Sequence, residues 1–272
     1  ARTASRTCSP SRAERDVVAT WRAHWPEYAL DGVLLGLFML SASVFGVLLF
    51  HPDSFAHGWI ESELARRAWM GLAMGLTAIA LVYSPLGQRS GAHMNPAVTL
   101  AFTALGRVHP RDAAGYVVAQ FVGGALGMLL AAWLLARWIA HPAVDFVVTR
   151  PGEHGLALAF AAVAAISFVL LSVVLRVSAS RFARFTGLCA GTLVMLWITF
   201  EAPLSGMSMN AARTFASALA AEQWTAWWLY ATAPLLGMLA AAALFARSGR
   251  GGCAKLHHEN PYRCIFCGER AR

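Results

Sequence analysis

Apolar residues along this chain arrive in blocks, without the single stripe of a soluble amphipathic helix or the alternation of a half-buried strand. Nearly unbroken runs cover residues 29–50, 68–86, 113–138, 155–177, 183–201 and 224–246. Each is close to the roughly 20 residues a helix needs to cross the hydrocarbon core of a bilayer. Two shorter apolar segments, 95–106 and 210–221, cannot cross, and each follows a polar approach containing glycine. Non-helical backbone at membrane depth survives only where protein or a wet cavity satisfies it, so these two segments predict re-entrant half-helices. The expected fold is an all-α membrane protein: six transmembrane helices plus two re-entrant half-helices.

The two short segments are copies of one another. Ser90-Gly91-Ala92-His93-Met94-Asn95-Pro96-Ala97 aligns without gaps on Ser205-Gly206-Met207-Ser208-Met209-Asn210-Ala211-Ala212, and Ala101 pairs with Ala216. Each copy follows the second span of a three-span half, giving repeats at 27–140 and 150–246 within a bundle at 27–246. An odd number of spans per half inserts the two halves upside down relative to each other. Interrupted segments at matching places in two such halves point to a transport path.

Each box reads as a helix start. Asn is a favoured N-cap, and Pro96 at the first helical position forgoes an N–H that would be orphaned anyway. Half-helices entering from opposite faces would aim their N-termini at each other, each carrying about half a positive charge. That meeting point repels cations and protons, while the Asn carboxamides still offer donors to a neutral hydroxylic solute. The backbone of Gly91, Ala92 and His93, and of Gly206, Met207 and Ser208, would offer carbonyl acceptors along the path. Donors at the centre and acceptors along the arms suit a single-file channel for small neutral molecules.

These strings, SGAHMNPAVTLAF and SGMSMNAARTFASAL, resemble the two pore loops of the aquaporin (major intrinsic protein) family, over residues 27–246. The resemblance implies a six-helix bundle with two half-helices, one pore per subunit, a homotetramer, and passive flux of water or small uncharged solutes. It assigns Asn95, Pro96, Ala97, Asn210, Ala211 and Ala212 to the pore boxes and Arg213 to an outer selectivity filter. The other filter positions fall on Met74 (or Gly75), Ile198 (or Thr199) and Met207. Two departures stand out. Ala211 occupies the place of the usual proline, and Val163 stands in span four where the family carries a loop-bracing Glu, while span one offers Asp31. No His occurs in span five, and Ser217-Ala218 stands where glycerol-type members carry an Asp. Tyr230 keeps an aromatic in span six, although Ala231 replaces the Trp common in water-type members. The tilt is toward a water-type channel, with peroxide or ammonia as further permeants and a glycerol-type facilitator as the alternative.

Composition sharpens this picture. The chain has 272 residues, 58% of them hydrophobic and only 13% charged, about half the charged share of an ordinary soluble domain. A soluble enzyme, a disordered chain and a nucleic-acid binder are all disfavoured. The net charge of +8 resolves into topology: of 22 Lys and Arg, only Arg66, Arg67, Arg137, Arg150 and Arg213 fall on one side of a six-span arrangement. The richer side faces the cytoplasm, placing both termini inside a plasma (inner) membrane, with attraction to anionic lipid. No cleavable signal is read at the N-terminus. Residues 1–26 read as a basic cytoplasmic tail, disordered over 1–20, with a start that looks processed or trimmed.

Residues 247–272 form a second cytoplasmic tail. Cys253, His257, His258, Cys264 and Cys267 bring three thiols and two imidazoles within reach, enough for a tetrahedral zinc site. A redox pair and an unliganded tail are the alternatives, and no cofactor is required for conduction. Two rivals to a channel remain: a secondary transporter, which would need intramembrane acids such as Asp31 and Glu201, and a metal sensor anchored by an inert bundle. The Gly-xxx-Gly pairs (Gly32/Gly36, Gly71/Gly75, Gly123/Gly127, Gly187/Gly191) predict close helix contact, and Gln120 reads as packing at least as readily as pore lining.

Overall fold

In a computed structural model that describes residues 17–258 and 261–268, eight principal helices build the chain. They are α1 (Val17–Phe50), α2 (Glu63–Tyr83), α3 (Pro96–Ala104), α4 (Pro110–Ile139), α5 (Leu156–Ser178), α6 (Thr186–Phe200), α7 (Ala211–Ala221) and α8 (Trp227–Ala246). Among them α1, α4, α5 and α8, and α6 when joined to the 3-10 turn that precedes it (Ala183–Phe200), are long and apolar enough to cross a membrane. At 21 residues α2 is about 31 Å long, and Arg66 and Arg67 dilute the apolarity of its first turns.

Local signals place the helix starts. The Ser62 hydroxyl accepts from the Ala65 N–H at 3.3 Å to cap α2. His109 Nδ1 accepts from the Arg111 N–H at 3.2 Å ahead of Pro110, which opens α4. The first helix corrects the expectation for the N-terminal tail. It begins at Val17, ten residues before the bundle was expected to start, so 17–26 is helix and the disorder expected for 17–20 is not found. Its 34 residues reach about 51 Å, longer than the hydrocarbon core, and its N-terminal part is tied to the start of α4. There the Trp21 indole donates to the Arg111 carbonyl at 2.9 Å and the Tyr28 hydroxyl donates to Asp112 at 2.5 Å. The tail expected over 1–16 lies outside the described residues.

Small residues set the helix spacing. A Cβ on Gly123 would sit 2.1 Å from the Gly32 carbonyl oxygen, and one on Gly127 2.4 Å from the same atom of Gly36, so α1 and α4 touch backbone to backbone. The second repeat pairs α5 with α8 the same way: a Cβ on Gly237 would lie 2.2 Å from the Ala164 carbonyl oxygen. Contact between the repeats runs through α2 and α6, where Gly71 meets the Met195 carbonyl and Gly75 that of Gly191. Without a hydrophobic force between helices in lipid, dispersion from such close approach carries the association. The half-helices α3 and α7, nine and eleven residues, together span about 30 Å, the thickness of the hydrocarbon core.

Candidate functional site

Each half-helix is capped by its own Asn. Asn95 Oδ1 accepts from the Ala97 N–H at 2.9 Å, and Asn210 Oδ1 accepts from Ala212 and Arg213 at 3.1 and 3.2 Å. The cap therefore forms in the second box despite Ala211. The other end of each carboxamide reaches across to the opposite loop. Asn95 Nδ2 donates to the Met209 carbonyl at 2.8 Å, and Asn210 Nδ2 donates to the Met94 carbonyl at 2.6 Å. The two N-termini thus meet tip to tip through a reciprocal pair of bonds, each amide nitrogen keeping a second hydrogen.

Hydrogen bonds around the loops repeat the internal symmetry. The Tyr116 hydroxyl donates to the Ser90 carbonyl at 2.5 Å, and the Tyr230 hydroxyl to the Ser205 carbonyl at 2.6 Å. Ser90 Oγ accepts from Ala92 N–H at 3.0 Å; Ser205 Oγ accepts from Met207 N–H at 3.2 Å. His93 Nδ1 lies 3.1 Å from Thr99 Oγ1, and Ser208 Oγ lies 2.6 Å from Thr214 Oγ1. The sequence does not mark the tyrosines for this role: Tyr116 follows Ser90 by 26 residues and Tyr230 follows Ser205 by 25, so the gapless repeat of the two boxes does not pair them. The loops turn through left-handed backbone at Gly91 (φ 101°) and Ala92 (φ 55°), and again at Gly206 (φ 72°) and Met207 (φ 47°).

Symmetry breaks at the brace. The fully buried Asp31 carboxylate takes four donors: Ser90 Oγ at 3.2 Å, His93 N–H at 2.9 Å, Met94 N–H at 2.8 Å and Gln120 Nε2 at 2.7 Å. Gln120 also donates to Thr99 Oγ1 at 3.1 Å, so it ties α4 to the loop. Since Gly123 meets Gly32 where Gly237 meets Ala164, the counterpart of Asp31 is Val163, and the counterpart of Gln120 is Pro234. The second loop has no carboxylate at the equivalent place.

Between the half-helices and the flanking helices lies a cavity of about 420 Å³. Asn95 and Asn210 line it together with Met74, Ile198, Met207 and Arg213. Ala92, His93, Gly206 and Ser208 line it too. The alternatives Gly75 and Thr199 face elsewhere: Gly75 packs on Gly191, and the Thr199 hydroxyl donates to the Met195 carbonyl at 2.8 Å. The Arg213 guanidinium donates from Nη1 to Thr149 Oγ1, which orients it at the wall. Gly91 departs from its expected place. Its carbonyl accepts from the Leu256 N–H at 3.1 Å, because the C-terminal tail folds back onto the loop and takes that oxygen. Asp31 and Glu201 do not line the cavity; the acidic lining residue is Glu63, paired with Arg67 at 2.5 Å.

The match to known proteins follows this geometry. Residues 33–245 match the family model "Major intrinsic protein". The chain belongs to that family. This aquaporin is 32% identical to aquaporin NIP2-3 of Zea mays over 213 residues, covering 78% of this chain and 69% of the relative. It is 36% identical to aquaporin NIP1-3 of Oryza sativa subsp. japonica, over 63% of this chain and 58% of the relative. Identity reaches 38% with aquaporin NIP6-1 of Arabidopsis thaliana, over 62% of this chain and 54% of that protein. The fold is also that of the aquaglyceroporin from Plasmodium falciparum, whose X-ray structure superposes with a TM-score of 0.63 at 19% identity, covering 82% of this chain and 95% of the other. It is a membrane channel for water or small solutes, and it is not an enzyme.

Four of the five tail residues gather. Ligand atoms of Cys253, His258, Cys264 and Cys267 all lie within 4.8 Å of one another, with Cys253 Sγ and Cys264 Sγ at 3.3 Å. A hydrogen bond within that pair lowers the pKa of the Cys264 thiol and raises that of Cys253, so one thiolate is favoured. His257 does not join them. The adjacent imidazole points away and packs edge-on against Tyr83, ring centres 5.0 Å apart.

Proposed function

We propose that this aquaporin conducts water and small neutral solutes passively and excludes protons and ions at the Asn95–Asn210 junction. The reciprocal bonds from Asn95 to the Met209 carbonyl and from Asn210 to the Met94 carbonyl carry the reading. They hold two positive helix ends against the path, so a cation meets repulsion where a neutral solute still finds N–H donors. A water that accepts from both carboxamides has its hydrogens turned away from the centre and cannot relay a proton.

Arg213, Met74, Ile198 and Met207 form the outer constriction in this reading. An arginine at membrane depth costs about 2.5–3.5 kcal/mol on insertion scales, which a water-filled cavity relieves, and Arg213 lines the cavity between the half-helices. Two methionines and an isoleucine give the rest of the wall few hydrogen-bonding groups and a deformable surface. That wall favours a second reading, a facilitator for small solutes such as glycerol, since it accommodates the carbon skeleton of a polyol better than a narrow polar ring would. The name of the Plasmodium falciparum neighbour points the same way. Secondary transport is the weaker reading, because Asp31 is saturated by structural donors and lies off the cavity wall. The protein works as a homotetramer in the plasma (inner) membrane, both termini cytoplasmic.

Stopped-flow light scattering on proteoliposomes, comparing water, glycerol, urea and hydrogen peroxide without an ion or proton gradient, tests this. Water flux above empty vesicles with no proton leak is expected. Flux that requires a proton or sodium gradient would refute it.

A further inference from the structure

We propose that the C-terminal tail is a zinc-clamped plug for the inner mouth of the pore, held by Cys253, His258, Cys264 and Cys267. The inference rests on the channel reading above.

Three thiols and one imidazole form the donor set that a tetrahedral site for a borderline-soft divalent cation requires. Bonds of about 2.3 Å place tetrahedral ligands about 3.8 Å apart. Here the ligand atoms fall within 4.8 Å, with His258 Nε2 and Cys267 Sγ at 3.1 Å, so small rotations would admit the ion. On binding, the thiols release their protons to solvent and the imidazole binds in its neutral form.

Where the ligands sit in the chain gives the site its purpose. Ala254, Lys255 and Leu256 lie between the ligands Cys253 and His258, and Phe266 lies between Cys264 and Cys267. These bracketed residues all touch the first pore loop or the turn that leads into it. The Ala254 carbonyl meets His93 Nε2 at 2.9 Å, Lys255 Nζ donates to the Gln88 carbonyl at 2.8 Å, and the Leu256 N–H donates to Gly91. Phe266 stacks on His93 with ring centres 5.5 Å apart and planes 9° from parallel. The Leu256 side chain lines the same cavity as Asn95 and packs into the cluster that holds Val82, Ala92 and Val174. An apolar side chain at a narrow mouth gates by dewetting.

The tail carries no helix or strand over 250–258 and 261–268, and it meets the main apolar cluster through Ala254, Leu256 and Phe266. A metal cross-link closing two short loops would hold these residues in place in a segment with no hydrogen-bonded element of its own. The bound ion keeps Leu256 in the mouth; its removal frees the tail and opens the path.

The full-length protein, purified in reducing buffer, is assayed for metal by mass spectrometry and for a tetrahedral cobalt(II) absorption spectrum after exchange. One zinc per chain is expected. Proteoliposomes are then prepared with zinc or with a chelator on both faces and compared for water flux. Chelation is expected to raise flux several-fold. Leu256→Ala is expected to conduct at the raised level while still binding one zinc. Cys264→Ser with Cys267→Ser is expected to bind no zinc and to ignore the chelator. Absence of stoichiometric zinc and of the cobalt spectrum would overturn the site. Equal flux with and without zinc, in a protein that conducts, would overturn the gate alone. No conduction in any form would overturn the channel reading, and the gate with it, while the metal content still reports on the site.

Discussion

Replacing Asp31 by Asn tests the brace under the first pore loop. The carboxylate accepts two donors on each oxygen: Ser90 and His93 on Oδ1, Met94 and Gln120 on Oδ2. A carboxamide of the same shape keeps one oxygen and turns an NH2 group toward the other pair of donors. Two bonds to a charged acceptor are lost and two buried donors face the new NH2 group. At about 1.5–3 kcal/mol for each such bond, the loop loses about 3–6 kcal/mol. His93 and Met94 precede the Asn95 cap, and the Met94 carbonyl receives Asn210, so the damage reaches the junction itself. Thermal stability in detergent and water flux in proteoliposomes, measured on the same preparation, should both fall sharply. Asp31→Asn protein with unchanged melting and unchanged flux would show that the carboxylate does not hold the loop.

Further outcomes follow from the same contacts. Arg213→Ala removes the charge from the proposed outer constriction and should raise entry of glycerol and urea relative to water; an unchanged ratio in the swelling assay would remove Arg213 from the filter. Gly123→Ala forces a methyl into the Gly32 carbonyl 2.1 Å away, so α1 and α4 must separate, costing about 1–3 kcal/mol and yield of folded protein, read by melting in detergent. Ala211→Pro restores proline at the first position of α7, where the Asn210 cap uses the N–H groups of Ala212 and Arg213 and not that of Ala211. It should be neutral or stabilise by up to about 1 kcal/mol with flux retained; a loss of flux would mean that the Ala211 N–H faces the solute.

Much of the architecture is legible in the order of the residues because the physics behind it is local or periodic. A run of about twenty apolar side chains meets a bilayer of matching thickness wherever it occurs. Asn followed by Pro or Ala starts a helix through its own side chain. The repeat of Ser90–Ala97 in Ser205–Ala212 carries the inverted topology with it, and glycines four apart mark where helices touch. Tertiary structure alone decided the rest, since those features depend on atoms far apart in the chain. It turned Asn95 toward the Met209 carbonyl, placed Tyr116 and Tyr230 under the two loops, and chose Met74 over Gly75 and Ile198 over Thr199 for the cavity wall. It sent His257 to Tyr83 while its neighbour His258 joined the thiols, and it folded the tail 165 residues back so that Leu256 took the Gly91 carbonyl. A hydrogen bond to a backbone carbonyl leaves no mark on the residue that accepts it, so these pairings become visible only when the helices have packed.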